Sequence, residues 1–196
     1  MPVEIEAAAV QWEIIDHKTA GLGEELPEWV DRYITGGLEA LEALPQYADK
    51  YVFVAENTGT NADALAQWSL GFNVDQDLAQ LVSARVQARL SRGGSPDRDY
   101  GLFFERAVKF TADNGYPGGL READFWILRR SIGAESEDGP AEAQEVYHFY
   151  IVVSIDKELL EPAIDTALLT AAEYTKPSRE ETLAVDRIRA AFYEGF

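Results

Sequence analysis

Chemistry in a protein starts from side chains that can move protons, attack or hold ions, and here they are sparse. The chain has two histidines, His17 and His148, and no cysteine. A hydrolytic triad sets one imidazole between a hydroxyl and a carboxylate, and neither histidine is accompanied by a Gly-x-Ser-x-Gly elbow. His148 falls on the mixed face of an apolar run, where a packed, hydrogen-bonded imidazole is the expectation. Without cysteine there is no thiolate nucleophile, disulfide or thiolate-bound zinc. The pairs Gly36-Gly37, Gly93-Gly94 and Gly118-Gly119 lack the Lys-Ser/Thr or Gly-x-x-Gly sequel of a phosphate loop and read as turns. Neither a cofactor nor a metal is expected.

Carboxylates are the remaining route to catalysis. Glu56 ends an apolar strand beside Asn57 and Asn61. A carboxylate there must be paired, and Arg129 or Arg130 is the expected partner, in a structural ion pair or, alternatively, a catalytic site. Glu135, Glu137 and Asp138 could hold calcium, but they lack the alternating ligand pattern of a helix-loop-helix site and read as solvated loop charge. Arg85, Arg89, Arg92 and Arg98 form the nearest thing to a basic cluster. They either bind an anionic group or pair with the surplus acids. Trp12, Trp29, Trp68 and Trp126, with Tyr33, Tyr47, Tyr51, Tyr100 and Tyr116, exceed the obvious needs of a core, so two or three could line a groove for sugar or peptide.

The element that must position these groups begins at Tyr51. Tyr51-Val52-Phe53-Val54-Ala55 is apolar on both faces, as in a strand covered on both sides. Asn57 to Asn61 form a polar turn that ends in a helix cap. Leu65, Trp68, Phe72, Leu78, Leu81, Val82, Val86 and Leu90 then recur at steps of three and four, predicting one long helix with a slip at Gly71. Upstream, Val10 to Ile14 alternates as a half-buried strand. Pro27 to Ile34 reads as a short helix stopped by Gly36-Gly37, with another turn or two through Leu38, Leu41 and Leu44 before Pro45. Downstream, Ser95-Pro96 opens a helix through Phe103 and Val108. Residues 124–132 and 145–155 form a hairpin whose Tyr147, Phe149, Ile151, Val153 and Ile155 mark a central strand, and 133–144 is a solvated, mobile loop. A helix follows Asp156, bent or started late by Pro162, and a last one follows Ser178. The sum is a single α+β domain of three to four largely antiparallel strands with helices packed on the sheet.

At 196 residues, about 70% of the unfolded surface can be buried, enough for a core without staples. Acidic residues number 35 against 17 basic, a formal net charge of −18. That field opposes a polyphosphate backbone or an anionic membrane, so nucleic acid is excluded as a partner. No run approaches the ~20 apolar residues of a membrane span, and no signal peptide opens the chain.

Four stretches in this order resemble the twenty-kilodalton bacterial lipoprotein family, whose domain is similar to the N-terminal part of flagellar assembly protein T. They are Pro27-Glu28-Trp29-Val30, Tyr51 through Gly59, Asp77 through Val86, and Tyr147 through Asp156. The chain departs from the family at Gly71-Phe72-Asn73-Val74-Asp75, where the helix usually continues smoothly, and lacks the lipid-bearing cysteine, which places any anchor upstream of Met1. The resemblance implies a periplasmic or outer-membrane-associated protein with a structural or interaction role, a protein or envelope component as partner, and no catalytic residues. A small-ligand or glycan binder with an aromatic and carboxylate cleft is the alternative reading, and a carboxylate-dependent hydrolase a third.

Overall fold

The computed structural model describes residues 11–92, 116–132 and 143–175, the backbone of 135–136 and 139–140, and positions 109, 113, 179, 182, 183, 186, 190 and 193. In chain order the elements are β1 (Gln11–His17), α1 (Glu28–Glu42), β2 (Lys50–Gly59), α2 (Ala62–Gly71), α3 (Val74–Arg92), β3 (Leu120–Ile132), β4 (Glu135–Ser136), β5 (Gly139–Pro140), β6 (Glu145–Asp156) and α4 (Lys157–Thr175). Four strands form one antiparallel sheet in the order β1-β3-β6-β2, so the fold is α+β as expected. The segment expected as a plain loop between β3 and β6 carries a small antiparallel ladder, Glu135 opposite Pro140 and Ser136 opposite Gly139. The helices expected after Ser95 and Ser178 are described only at isolated positions, all helical: Lys109 and Asp113 in the first, and Arg179, Thr182, Leu183, Asp186, Ala190 and Tyr193 in the second. The side chains of Glu135, Glu137 and Asp138 lie outside the described residues.

By backbone proximity the chain forms two compact units, each assembled from separated stretches. The first comprises Met1–Pro27, Glu56–Gly71 and Asp124–Ile151, and the second Glu28–Ala55, Phe72–Ala123 and Val152–Phe196.

In the second unit the sheet is covered as the apolar runs require. Val52 and Val152 cluster with Leu41, Leu44 and Tyr47, and Trp29, Tyr33, Leu38 and Val54 pack around them. The helix bearing Leu41 is α1, in which Gly37 adopts φ 68° and ψ −161°. Those angles are open essentially to glycine alone and are not helical, so α1 is two short helical pieces broken at Gly37, as the Gly36-Gly37 pair led one to expect. From the N-terminal part of the same helix, Val30 is fully buried. Along α4, Leu160, Ile164, Ala167, Leu168 and Ala171 form a stripe that is at most 1% exposed. The helix starts before Pro162 and continues through it. Phe149 through Ile155 of β6 are buried without a break, which fits a strand with neighbours on both sides in the sheet.

The single long helix expected from Leu65 to Leu90 is two helices. Gly71 ends α2, and Asn73 starts α3 by accepting bonds through Oδ1 from the amides of Asp75 and Gln76, at 3.1 and 3.4 Å. Asp77 Oδ2 closes the motif by accepting from the Asn73 amide at 2.6 Å. Amides at the start of α3 thus find side-chain acceptors, and the slip in periodicity is a helix start. Glycines also permit close approach in the turn before β3. A Cβ on Gly119 would lie 2.6 Å from Leu78 and 2.9 Å from Val74, and Gly118 has φ 104°.

Candidate functional site

The first unit carries a sheet face that is only partly covered. Register fixes which residues share it. Trp12 pairs with Ser131, Ile14 with Arg129 and His17 with Ile127. The Ser131 amide in turn donates to the carbonyl of Gln144 at 2.9 Å. Alternation along β3 and β6, with the register shift between Ile14 and Asp16 in β1, therefore puts Trp12, Ile14, His17, Phe125, Ile127, Arg129 and His148 on one face. His17 stacks on Phe125 with centroids 5.9 Å apart, and His148 stacks on Tyr150 at 6.2 Å.

Glu56 joins this face through His148, with Oε1 3.0 Å from Nδ1. Glu56 is exposed, so its position does not force a partner as the covered strand suggested; the partner it has is an imidazole rather than Arg129 or Arg130. Arg130 lies on the opposite face and donates to Glu145 from Nε and Nη2, at 3.0 and 2.6 Å. Arg129 is half-buried beside Ile14. His148 is packed and bonded, as its strand position led one to expect.

The remaining site candidates are dispersed. Trp126 sits on the face opposite Arg129, stacked on Phe149 at 6.3 Å and edge-on to Tyr147 at 5.8 Å. Asn57 also alternates away from Glu56 and is half-buried. Asn61 is a cap whose Oδ1 accepts from the Ala64 amide at 3.0 Å, opening α2. Arg89 lies in α3, its side chain outside the described residues.

Arg85 belongs to the second unit and is 3% exposed. Its Nη1 donates to Glu42 Oε1 at 2.6 Å and reaches the Val52 carbonyl at 3.4 Å. The guanidinium carbon lies 5.0 Å from the Tyr51 centroid and 5.5 Å from that of Phe53. Arginine suits this position because its flat, weakly hydrated cation packs on rings while its edge still donates. Of the two readings open for it, pairing with a surplus carboxylate is the one found.

The second unit also holds two polar clusters absent from the sequence expectations. Lys50 Nζ donates to Glu122 Oε1 at 2.8 Å, and the fully buried Ser154 hydroxyl donates to the same oxygen. The bond from Lys50, and then that from Ser154, hold the Glu122 carboxyl below the usual carboxylate range, while the bond to Glu122 raises Lys50. In the other cluster, Tyr51 donates to Glu161 Oε1 at 2.9 Å, and Tyr193 donates to the Glu161 carbonyl and to Asp165 at 3.1 and 2.5 Å. Burial, followed by the bond to Glu161, raises Tyr51 strongly. These bonds tie β2 to β3, β6 and α4.

Among the described residues no group of three or more His, Asp or Glu side chains is placed to hold a metal ion. No described helix is long and apolar enough to cross a membrane. Comparison with family models, curated proteins and solved structures finds no match.

Proposed function

We propose that this chain is a non-enzymatic interaction module of the bacterial cell envelope, using the partly open face of the first unit to hold a protein or envelope component. The observation that carries the reading is the exposure of large apolar side chains on an ordered strand: Trp12 is 41% and Ile14 38% exposed. They adjoin Arg129 in the register, and Glu56 and His148 share their face. Apolar groups rimmed by charge on a rigid sheet are what a recognition surface needs, because burial gives affinity and the polar rim gives orientation. Envelope location rests on the family resemblance alone.

The aromatic-cleft alternative draws less support, since Trp29 packs around the core cluster and Trp126 packs against Tyr147 and Phe149. The test is a photo-crosslinking amino acid placed at position 12 in cells, with position 186 as control, combined with fractionation of the native protein. A discrete adduct from position 12 only, in the envelope fraction, is the expected result. Recovery in the cytosol would remove the envelope location, and equal labelling from both positions would remove the interaction face.

A further inference from the structure

Strand β1 is an outer strand of the sheet, and among the described residues it pairs with β3 alone. The other outer strand is not comparable. Tyr51 to Phe53 of β2 are buried, and the Val52 carbonyl accepts from Arg85. In β1, by contrast, Gln11 through Ile14 are all exposed. An ordered, uncovered strand edge presents backbone donors and acceptors at strand spacing and is a template for another strand.

The side chains flanking that edge are sorted by chemistry. A register shift between Ile14 and Asp16 places one extra residue, Ile15, in β1. Before it, Trp12 and Ile14 share a face while Glu13, opposite Arg130, takes the other. After it, Asp16 lies opposite Leu128 and so falls on the same face as Glu13. Without the bulge, simple alternation would set Asp16 beside Trp12 and Ile14. The bulge therefore segregates the edge into an apolar flank and an acidic one. Arg130, the register partner of Glu13, already bonds to Glu145, so the acidic flank keeps a net negative charge.

The geometry points to the outer edge of β1 as the docking site for one extended segment of a partner protein, in which basic and apolar side chains alternate. The inference rests on the interaction-module reading and names the partner's chemistry. Paired with Gln11–Ile14, such a segment lays its apolar side chains on Trp12 and Ile14 and its basic ones beside Glu13 and Asp16. A second copy of this chain fits poorly. Its own β1 would bring the same two acids to the same flank, and two chains of net charge −18 repel. The bulge limits the regular pairing to a few residues, so complementarity of side chains has to supply the rest.

The test measures anisotropy of a fluorescein-labelled peptide of alternating Lys and Val, added to the full chain at about 0.15 M salt, where long-range attraction is screened. A peptide of the same composition with its lysines in one block should bind about tenfold more weakly. Two further peptides carry N-methyl groups either on every Lys amide or on every Val amide. A strand directs alternate residues to opposite edges, so one methylation pattern should abolish binding and the other should leave it. Glu13→Gln with Asp16→Gln should weaken the parent peptide about fivefold to tenfold. No binding of the parent peptide, equal binding of the block peptide, or indifference to both methylation patterns overturns strand addition. Crosslinking from position 12 that persists in any of these cases leaves the interaction module standing with a different mode of docking.

Discussion

Among the described residues, Lys18, Lys50, Arg85 and Arg130 are each held by a carboxylate. Arg85 is held by two rings and one carboxylate, and Glu42 is itself only 17% exposed. Replacing the arginine alone strands Glu42 among apolar groups, so Arg85→Leu should cost about 3 kcal/mol or more. Arg85→Leu with Glu42→Leu should recover much of that, because both charges leave together, and urea unfolding of the two variants makes the comparison. A loss below about 1 kcal/mol in the single variant would show that the pair is not needed. The Lys50, Glu122 and Ser154 cluster predicts a pH dependence. Glu122 is lowered in the folded chain, so its contribution is present above the unfolded carboxylate value and is lost as pH falls through the folded one. Lys50 is raised, so its contribution is present below the unfolded amine value and fades as pH rises through the folded one. The stability gap between the native chain and Glu122→Gln should be about 1 kcal/mol at neutral pH and close in acid, as read from denaturation midpoints across pH. The strand position of Glu56 suggested a paired carboxylate but not which partner, and the structure leaves the group exposed beside His148. Choosing His148 over Arg130 depended on the pairing between strands, and Arg130 lies on the wrong face to reach Glu56.

Elements were legible wherever periodicity ran uninterrupted. The run apolar on both faces at Tyr51 and the run with one wholly apolar face at Tyr147 are β2 and β6, neighbours in the sheet order. Arg85 lies over Tyr51 and Phe53, so the arginine-bearing helix does pack on that strand. Where a local polar motif competes with periodicity, the motif prevailed. Leu65 to Leu90 reads as one helix if only apolar spacing is counted, yet Asn73 with Asp77 supplies a start that spacing cannot reveal. Asn73→Ala should therefore cost about 1 kcal/mol. It should also speed hydrogen exchange at the amides of Asp75 and Gln76, while those of Leu65 to Ser69 are unchanged. If protection at residues 75 and 76 is untouched, the cap is ornamental. The sorting of Trp12 from Asp16 was equally hidden, because a one-residue bulge leaves no mark in composition and becomes visible only in the register with β3.

At the scale of the molecule the dominant quantity is charge, and it was plain from the sequence: 35 acidic residues against 17 basic ones. Two effects of salt then compete. Exposed pairs such as Lys18 with Asp124 and Arg32 with Glu28 lose strength as ions are added, but each contributes only about 0 to 1 kcal/mol. Repulsion among the unmatched acids acts between all of them at once and is relieved as the Debye length shrinks from about 30 Å at 0.01 M to about 8 Å at 0.15 M. Relief of repulsion should win, so the chain should become more stable over that range. About 1 kcal/mol gained corresponds to a rise of roughly 2 to 4 °C in Tm for a chain of this size. Calorimetry in sodium chloride checks the sign, and keeping below 0.2 M avoids the surface-exclusion effects that concentrated salts add. A Tm that falls with salt would mean that specific ion pairs outweigh the collective field. In that case the negative charge would lie in matched networks and would not be available to attract a basic partner segment to β1.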